Sequence, residues 1–243
     1  MGKKTALVIG GSGGIGSETA RLLSENGFTV LATYYANKGY LADAHKKNGI
    51  KFYEMNLLDD KSMTSAFNSM HKDYGKIDVV IFSVTSQTKN KNMLDMQWKD
   101  FEDHITLQIK GMFNIIKNMK EHIKAKQKTK FVIVLTEYCA GKPPSGLSDY
   151  VTAKYALMGF AKSMGAELAK YNCTVNMVSP GMVNTKLISN LPPKLVEITA
   201  ENNPLKRIAV PSDVAKVILF LSSEDSDYLN GVNIPVNGGG TML

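Results

Sequence analysis

The sequence predicts an α/β fold, a single domain built on a doubly wound parallel sheet of about seven strands with helices on both faces. Apolar runs of strand length alternate along the whole chain with longer segments of helical period, the pattern of a parallel sheet joined by helical crossovers. A glycine-rich loop, Gly10-Gly11-Ser12-Gly13-Gly14-Ile15-Gly16, follows the first apolar run and leads straight into the first helical segment.

Ala6 to Ile9 is the first strand, and Ile15 to Glu25 is its crossover helix. Thr29 to Thr33 is the second strand; a short helix over Tyr40 to Lys47 separates it from the third, Lys51 to Glu54. Lys61 to Tyr74 is the helix that returns the chain to Val79 to Phe82. Gln97 to Ala125 reads as one long helix before the strand Lys130 to Leu135, and Asp149 to Tyr171 as a second before Thr174 to Val178. Ser212 to Ser222 and Val232 to Val236 complete the series. Right-handed crossovers then place helices on both faces of the sheet. The segment from Asn184 to Arg207, with Pro192, Pro193 and Pro204, breaks the alternation and is the candidate for a lid over a cleft. No internal repeat, low-complexity tract or linker divides the chain.

At 243 residues and 44% apolar composition, the chain can bury a substantial core. Its longest apolar runs fall far short of the roughly 20 residues a membrane-spanning helix needs. Met1-Gly2-Lys3-Lys4-Thr5-Ala6 reads as neither a signal peptide nor a myristoylation site, so a cytoplasmic location without a membrane partner is expected. Cys139 and Cys173 lack metal-ligand spacing and read as reduced thiols, with no metal site. The formal charge of +7 comes from scattered lysines without an aromatic-basic reading motif, which argues against nucleic acid. Lys117, Lys120, Lys124, Lys126, Lys128 and Lys130 form one local concentration. It reads as a solvated face whose cations suit a helix C-terminus, or else as a docking patch for an acidic partner or an anionic substrate.

Glycines are wanted after the first strand because the backbone there must turn sharply, approach a pyrophosphate closely and pack the helix against the sheet. Gly11, Gly13 and Gly16 satisfy G-x-G-x-x-G, and Gly10, Gly14 and Gly16 satisfy G-x-x-x-G-x-G. Further along, Tyr150 and Lys154 stand four residues apart, which gives a phenol and an ammonium a common helical face. An adjacent cation favours the tyrosinate and brings the phenol toward proton exchange near neutral pH.

With Gly10-x-x-x-Gly14-x-Gly16 and Tyr150-x-x-x-Lys154, the sequence resembles the short-chain dehydrogenases/reductases over nearly its whole length. The tail, with Pro204-Leu205-Lys206-Arg207 and Val236-Asn237-Gly238-Gly239, is similar to the 3-oxoacyl carrier-protein reductase branch. The resemblance implies a Rossmann fold, an NAD(P)H-dependent oxidoreductase and a place in fatty acid or polyketide biosynthesis. Its implied cofactor contacts are Gly10, Ser12, Gly13, Gly14, Ile15 and Gly16 in the loop and Asn56-Leu57 near the adenine. They continue with Ser83 and Val84 after the fourth strand, Tyr150 and Lys154 themselves, and Pro180, Gly181, Val183 and Thr185 at the carboxamide. At the end of the second strand, Thr33-Tyr34-Tyr35-Ala36-Asn37-Lys38 has no acid to hold the ribose hydroxyls of NADH, and Lys38 can meet a 2′-phosphate. NADPH is therefore favoured over NADH. The family implies assembly through its two long helices, as a homotetramer or as a mixed oligomer with a homologue.

Three departures from the family pattern crowd around Tyr150. The residue thirteen before it, where the family has serine, is Glu137, with Thr136 its neighbour; the expected asparagine aligns with Gln108; and Phe82-Ser83-Val84-Thr85 replaces Asn-Asn-Ala-Gly. A carboxylate about 4 Å from the phenol would oppose its ionisation by about 4 kcal/mol at an effective dielectric near 20. A protonated Glu137 would instead donate a hydrogen bond to a substrate carbonyl. The expected reaction is reduction of a small-molecule or carrier-bound ketone, with Tyr150 as proton donor, Lys154 as its support, Glu137 or Thr136 orienting the substrate and Gln108 in a relay. Two alternatives are an enzyme of changed specificity using Glu137 as acid or base, and a catalytically weak subunit of an active homologue.

Overall fold

A computed structural model describes residues 3–37, 39 and 49–242. The helix expected over Tyr40 to Lys47 lies outside the described residues, as does Lys38. Seven parallel strands form one sheet in the order β3-β2-β1-β4-β5-β6-β7. They are β1 (Thr5–Ile9), β2 (Thr29–Tyr34), β3 (Lys51–Glu54), β4 (Val79–Phe82), β5 (Thr129–Val134), β6 (Cys173–Pro180) and β7 (Asn233–Val236). The register runs Leu7 to Leu31 on one side of β1 and Leu7 to Val80 on the other.

Strands inside such a sheet are covered on both faces, which is why β1, β4 and β5 are buried throughout. Side chains alternate between faces. Leu7, Ile9, Phe82 and Phe131 join one core with Phe67 of α2 (Asp60–Tyr74) and Leu157 of α6 (Ser148–Leu168). Val8, Ile81 and Val132 join the other with Ala20 of α1 (Gly14–Glu25) and Ile218 of α8 (Pro211–Ser222). Local chemistry places the helix ends: Asp59 caps α2 by accepting from the Ser62 N–H at 2.7 Å, and Gly75, at φ +73°, stops it.

One reading is corrected. The segment expected as one helix over Gln97 to Ala125 is divided into α3 (Trp98–Ile105), a π-helical turn (Thr106–Lys110), α4 (Gly111–Asn118) and α5 (Lys120–Lys124). The π turn inserts a residue into the helical repeat, so a simple 3.6-residue period cannot describe the whole span. The segment from Asn184 to Arg207 contains a 3₁₀ turn (Lys186–Ile188) and the helix α7 (Pro193–Asn202), which begins with proline at its first position, where a missing N–H costs nothing.

The chain order reverses between β1 and β4, leaving a crevice beyond their C-terminal ends. The loops after β1, β4, β5 and β6 all open toward it.

Candidate active site

Gly10 leaves β1 at φ +81°, where a side chain would be strained, and a Cβ there would stand 2.4 Å from the Ser83 carbonyl oxygen. Gly16 is needed for a different reason: its Cβ would meet the Gly10 carbonyl oxygen at 2.2 Å, so helix α1 can pack against the strand end only without one. Gly13 caps α1 with no side-chain bond to the helix. The amide groups of that first turn are thus left for an anion. Beside them lies a cavity of about 520 Å³ lined by Gly10, Ser12, Gly13, Gly14, Ile15, Thr33, Tyr34, Asn56, Leu57, Ser83, Val84 and Thr185. Its shape and glycine cradle fit a dinucleotide laid across the β1–β4 crevice. No Asp or Glu among the described residues lines it, and Lys186, not singled out in the sequence, does.

Not every expected contact reaches this cavity. Gly16 sits behind the loop as a packing position, and Asn37 uses its side chain to accept from the Gly39 N–H at 2.8 Å. Pro180, Gly181 and Val183 line an adjoining cavity of about 420 Å³, which shares Ile15, Ser83, Val84 and Thr185 with the first. Tyr150, Lys154 and Thr136 open into this second cavity, whose walls include Leu135, Leu147, Met182, Leu191 and Leu195. Leu187 and Ile188 also line it and, like Leu191 and Leu195, come from the 184–207 segment expected as a lid.

On α6, Tyr150 and Lys154 meet as their spacing predicts, with Lys154 Nζ 5.9 Å from the Tyr150 ring centroid. Lys154 is buried and donates to the Val134 carbonyl oxygen at 2.8 Å. Three N–H donors with one committed leave two for the cavity. The expected lowering of the tyrosine pKa does not hold: burial pushes the Tyr150 phenol up and outweighs the Thr136 hydrogen bond that opposes it. Burial also pushes Lys154 down to about 8. Desolvation acts on both charged forms and is the largest cause of each shift.

Thr136 and Glu137 part company at the end of β5. Thr136 is extended, at φ −155° and ψ 150°, so the side chains of these two residues leave on opposite sides. The Thr136 oxygen accepts from the Tyr138 N–H, and its side chain stands beside the Tyr150 phenol, whose ionised form it favours. Glu137 turns instead toward a third cavity of about 370 Å³, beside Asn203 and Asn237. Its carboxylate covers Gly181 and Gly240, where Cβ atoms would stand 3.1 and 3.2 Å from its oxygens. Burial raises the Glu137 pKa and a hydrogen bond from Asn237 opposes the rise. Glu137 does not line the Tyr150 cavity; the third cavity adjoins it only at Gly181, Met182 and Thr199.

Gln108 lies in the π turn, is fully buried, and neither its Oε1 nor its Nε2 has a hydrogen-bond partner. The turn packs against α6. His104, one turn earlier, is buried with its ring edge-on to Tyr150, and the sequence reading did not single it out.

The sequence model of a family described as enoyl-(acyl carrier protein) reductase matches residues 10–241. The chain is 33% identical over 241 residues to a 3-oxoacyl-[acyl-carrier-protein] reductase of Aquifex aeolicus, covering 97% of this chain and 96% of the relative. It is 31% identical to the reductase of that name from Buchnera aphidicola, covering 98% and 97%. It belongs to the short-chain dehydrogenases/reductases. As a short-chain dehydrogenase/reductase it is an NAD(P)H-dependent oxidoreductase. In this member of the short-chain dehydrogenases/reductases, the glycine-lined cavity is of a shape to fit a dinucleotide, and the cavity that Tyr150 lines adjoins it.

Proposed function

We propose that this protein reduces a 3-oxoacyl thioester, carried on acyl-carrier protein, to the 3-hydroxyacyl thioester with NADPH. The observation that carries the reading is the set Thr136, Tyr150 and Lys154, gathered where the glycine-lined cavity meets an apolar one. When bound, the cofactor supplies the hydride that the carbonyl carbon receives. Ser12, Gly13, Gly14 and Ile15 would hold its pyrophosphate, and Asn56, Leu57, Val84 and Thr185 its rings and carboxamide. Tyr150, kept protonated by burial, transfers its phenolic proton to the carbonyl oxygen. Thr136 donates to the same oxygen as charge develops, and Lys154 steadies the phenolate left behind. The apolar wall at Leu191 and Leu195 takes the acyl chain and sheds water from it.

NADPH is preferred because no Asp or Glu among the described residues lines the cavity to take the ribose hydroxyls. The segment 184–207 acts as a lid on a single domain, and the protein works in the cytoplasm. Among the described residues no helix is long and apolar enough to cross a membrane. Exposed Trp98, Phe113 and Tyr155 on α3, α4 and α6 support assembly through these helices into a homotetramer.

The test is Tyr150→Phe: turnover of 3-oxoacyl thioesters should vanish while NADPH still raises the melting temperature. Unchanged turnover would reject the assignment. Consumption of NADPH with 2-enoyl but not 3-oxoacyl thioesters would replace it with the double-bond reduction in the family's description. No thermal shift with either cofactor would instead favour a subunit that serves an active homologue.

A further inference from the structure

The side of Tyr150 that faces the protein interior holds two ionisable groups that the proposed reaction does not use. His104 on α3 and Asp149 on α6 are 4% and 5% exposed, and His104 Nε2 stands 3.6 Å from Asp149 Oδ2. The other carboxylate oxygen, Oδ1, accepts from the Tyr150 backbone N–H at 2.8 Å. The His104 ring meets the Tyr150 ring edge-on at 6.0 Å between centroids and 74° between planes. Three residues thus close a loop: imidazole to carboxylate, carboxylate to tyrosine backbone, tyrosine ring to imidazole.

A buried histidine is ordinarily satisfied at both ring nitrogens. Here Nδ1 has no partner, and Nε2 lies just beyond hydrogen-bond range of its carboxylate. Hydrogen bonding therefore does not explain why α3 turns a histidine inward at a position where an aliphatic residue would pack as well. A proton on the imidazole would turn the 3.6 Å contact into an ion pair.

We propose that His104 and Asp149 are a positioning pair, which fixes the phenol of Tyr150 through its ring and its backbone and holds an exchangeable proton behind it. The catalytic part of this inference rests on Tyr150 being the proton donor of the proposed reduction. Neither residue touches the substrate cavity, so both act through Tyr150. The charged groups that bear on His104 are Asp149 and Lys154 of α6 and Asp100 and Asp103 of α3. Burial lowers the pKa of His104 most, Asp149 counters this, and Lys154 adds to the lowering. At neutral pH the imidazole is thus neutral. On acidification it gains a proton opposite Asp149, which cancels the carboxylate's repulsion of the developing phenolate and adds to the repulsion of Lys154.

The experiment combines imidazole NMR with pH-resolved kinetics on the full chain. His104, assigned by the loss of its signal in His104→Gln, should titrate below an ordinary histidine, and Asp149→Asn should move that titration lower still. This arm needs no turnover, so it stands even if 3-oxoacyl thioesters prove not to be the substrate. In the kinetic arm, His104→Leu should lower kcat about tenfold or more with the KM for NADPH little changed, the signature of a displaced reacting group. His104→Gln should recover most of kcat at neutral pH and abolish the acid-side inflection of the profile. A titration indifferent to Asp149→Asn would overturn the pair. In an active enzyme, wild-type kcat and pH profile in both His104 variants would overturn its positioning role.

Discussion

Thr136 and Glu137 are neighbours in the chain and open into different cavities: the hydroxyl of the first meets the Tyr150 phenol, and the carboxylate of the second covers Gly181. The position at which the family's serine was counted therefore carries a group turned away from the chemistry. Burial raises the Glu137 pKa, so the native state holds that proton more tightly than the unfolded chain does. Stability is then full below the ordinary carboxyl range and falls as pH rises through the raised value. Glu137→Gln removes the charge and should raise the melting temperature at neutral pH, with the gain disappearing in acid. Thermal melts across pH check this.

Lys154 carries the opposite charge and the same penalty. Its pKa falls from 10.5 to about 8, so between these values the unfolded chain binds a proton that the native protein does not. Stability therefore rises with pH across that window, and the full penalty applies below about 8. Lys154→Met should stop turnover yet stabilise the fold at neutral pH by about 1–2 kcal/mol, since relief of desolvation exceeds the lost bond to Val134. Denaturant melts near neutrality and at high pH measure both the gain and its disappearance.

At the end of β2 the cavity is lined by Tyr34 and, among the described residues, by no acid. Tyr34→Asp would place a carboxylate where ribose hydroxyls can donate to it and a 2′-phosphate is repelled. The ratio of kcat/KM for NADPH over NADH should fall by about tenfold or more, as expected for one added like charge in contact.

Gly16 has no room for a side chain. In Gly16→Ala the new Cβ would stand 2.2 Å from the Gly10 carbonyl oxygen, and backbone cannot give way as a side chain can. A loss of about 1–3 kcal/mol in stability and weaker NADPH binding are expected together. Calorimetric melts with and without NADPH separate the two effects.

Much of this architecture is legible in the residues. The strand and helix alternation, the glycine loop and the Tyr150–Lys154 face are local patterns, and the placing of helices on both faces follows from right-handed crossovers. What stays hidden depends on register. Counting back from Tyr150 crosses a turn, so it cannot tell that Thr136, and not Glu137, faces the phenol. The π turn at Thr106–Lys110 breaks the helical period around Gln108. Pro192 and Pro193 mark a break in the alternation, and the second of them is the first residue of α7. His104 is one histidine among charged neighbours, and only the packing of α3 on α6 sets it against Tyr150. The ionisation of Tyr150 is hidden for a similar reason, because burial sets it and composition does not reveal depth.

The central claim is that Tyr150 works with Thr136 and without Glu137. It is tested most directly by the single-turnover rate of NADPH oxidation on a 3-oxoacyl thioester in Thr136→Val and Glu137→Gln beside the unaltered protein. Loss of the Thr136 donor should slow the chemical step by about a hundredfold, the scale of removing one hydrogen bond to a developing oxyanion. Glu137→Gln should leave the rate within about threefold, as for a group outside the reacting cavity. A Thr136→Val protein that keeps its rate, or a Glu137→Gln protein that loses it, would contradict the account.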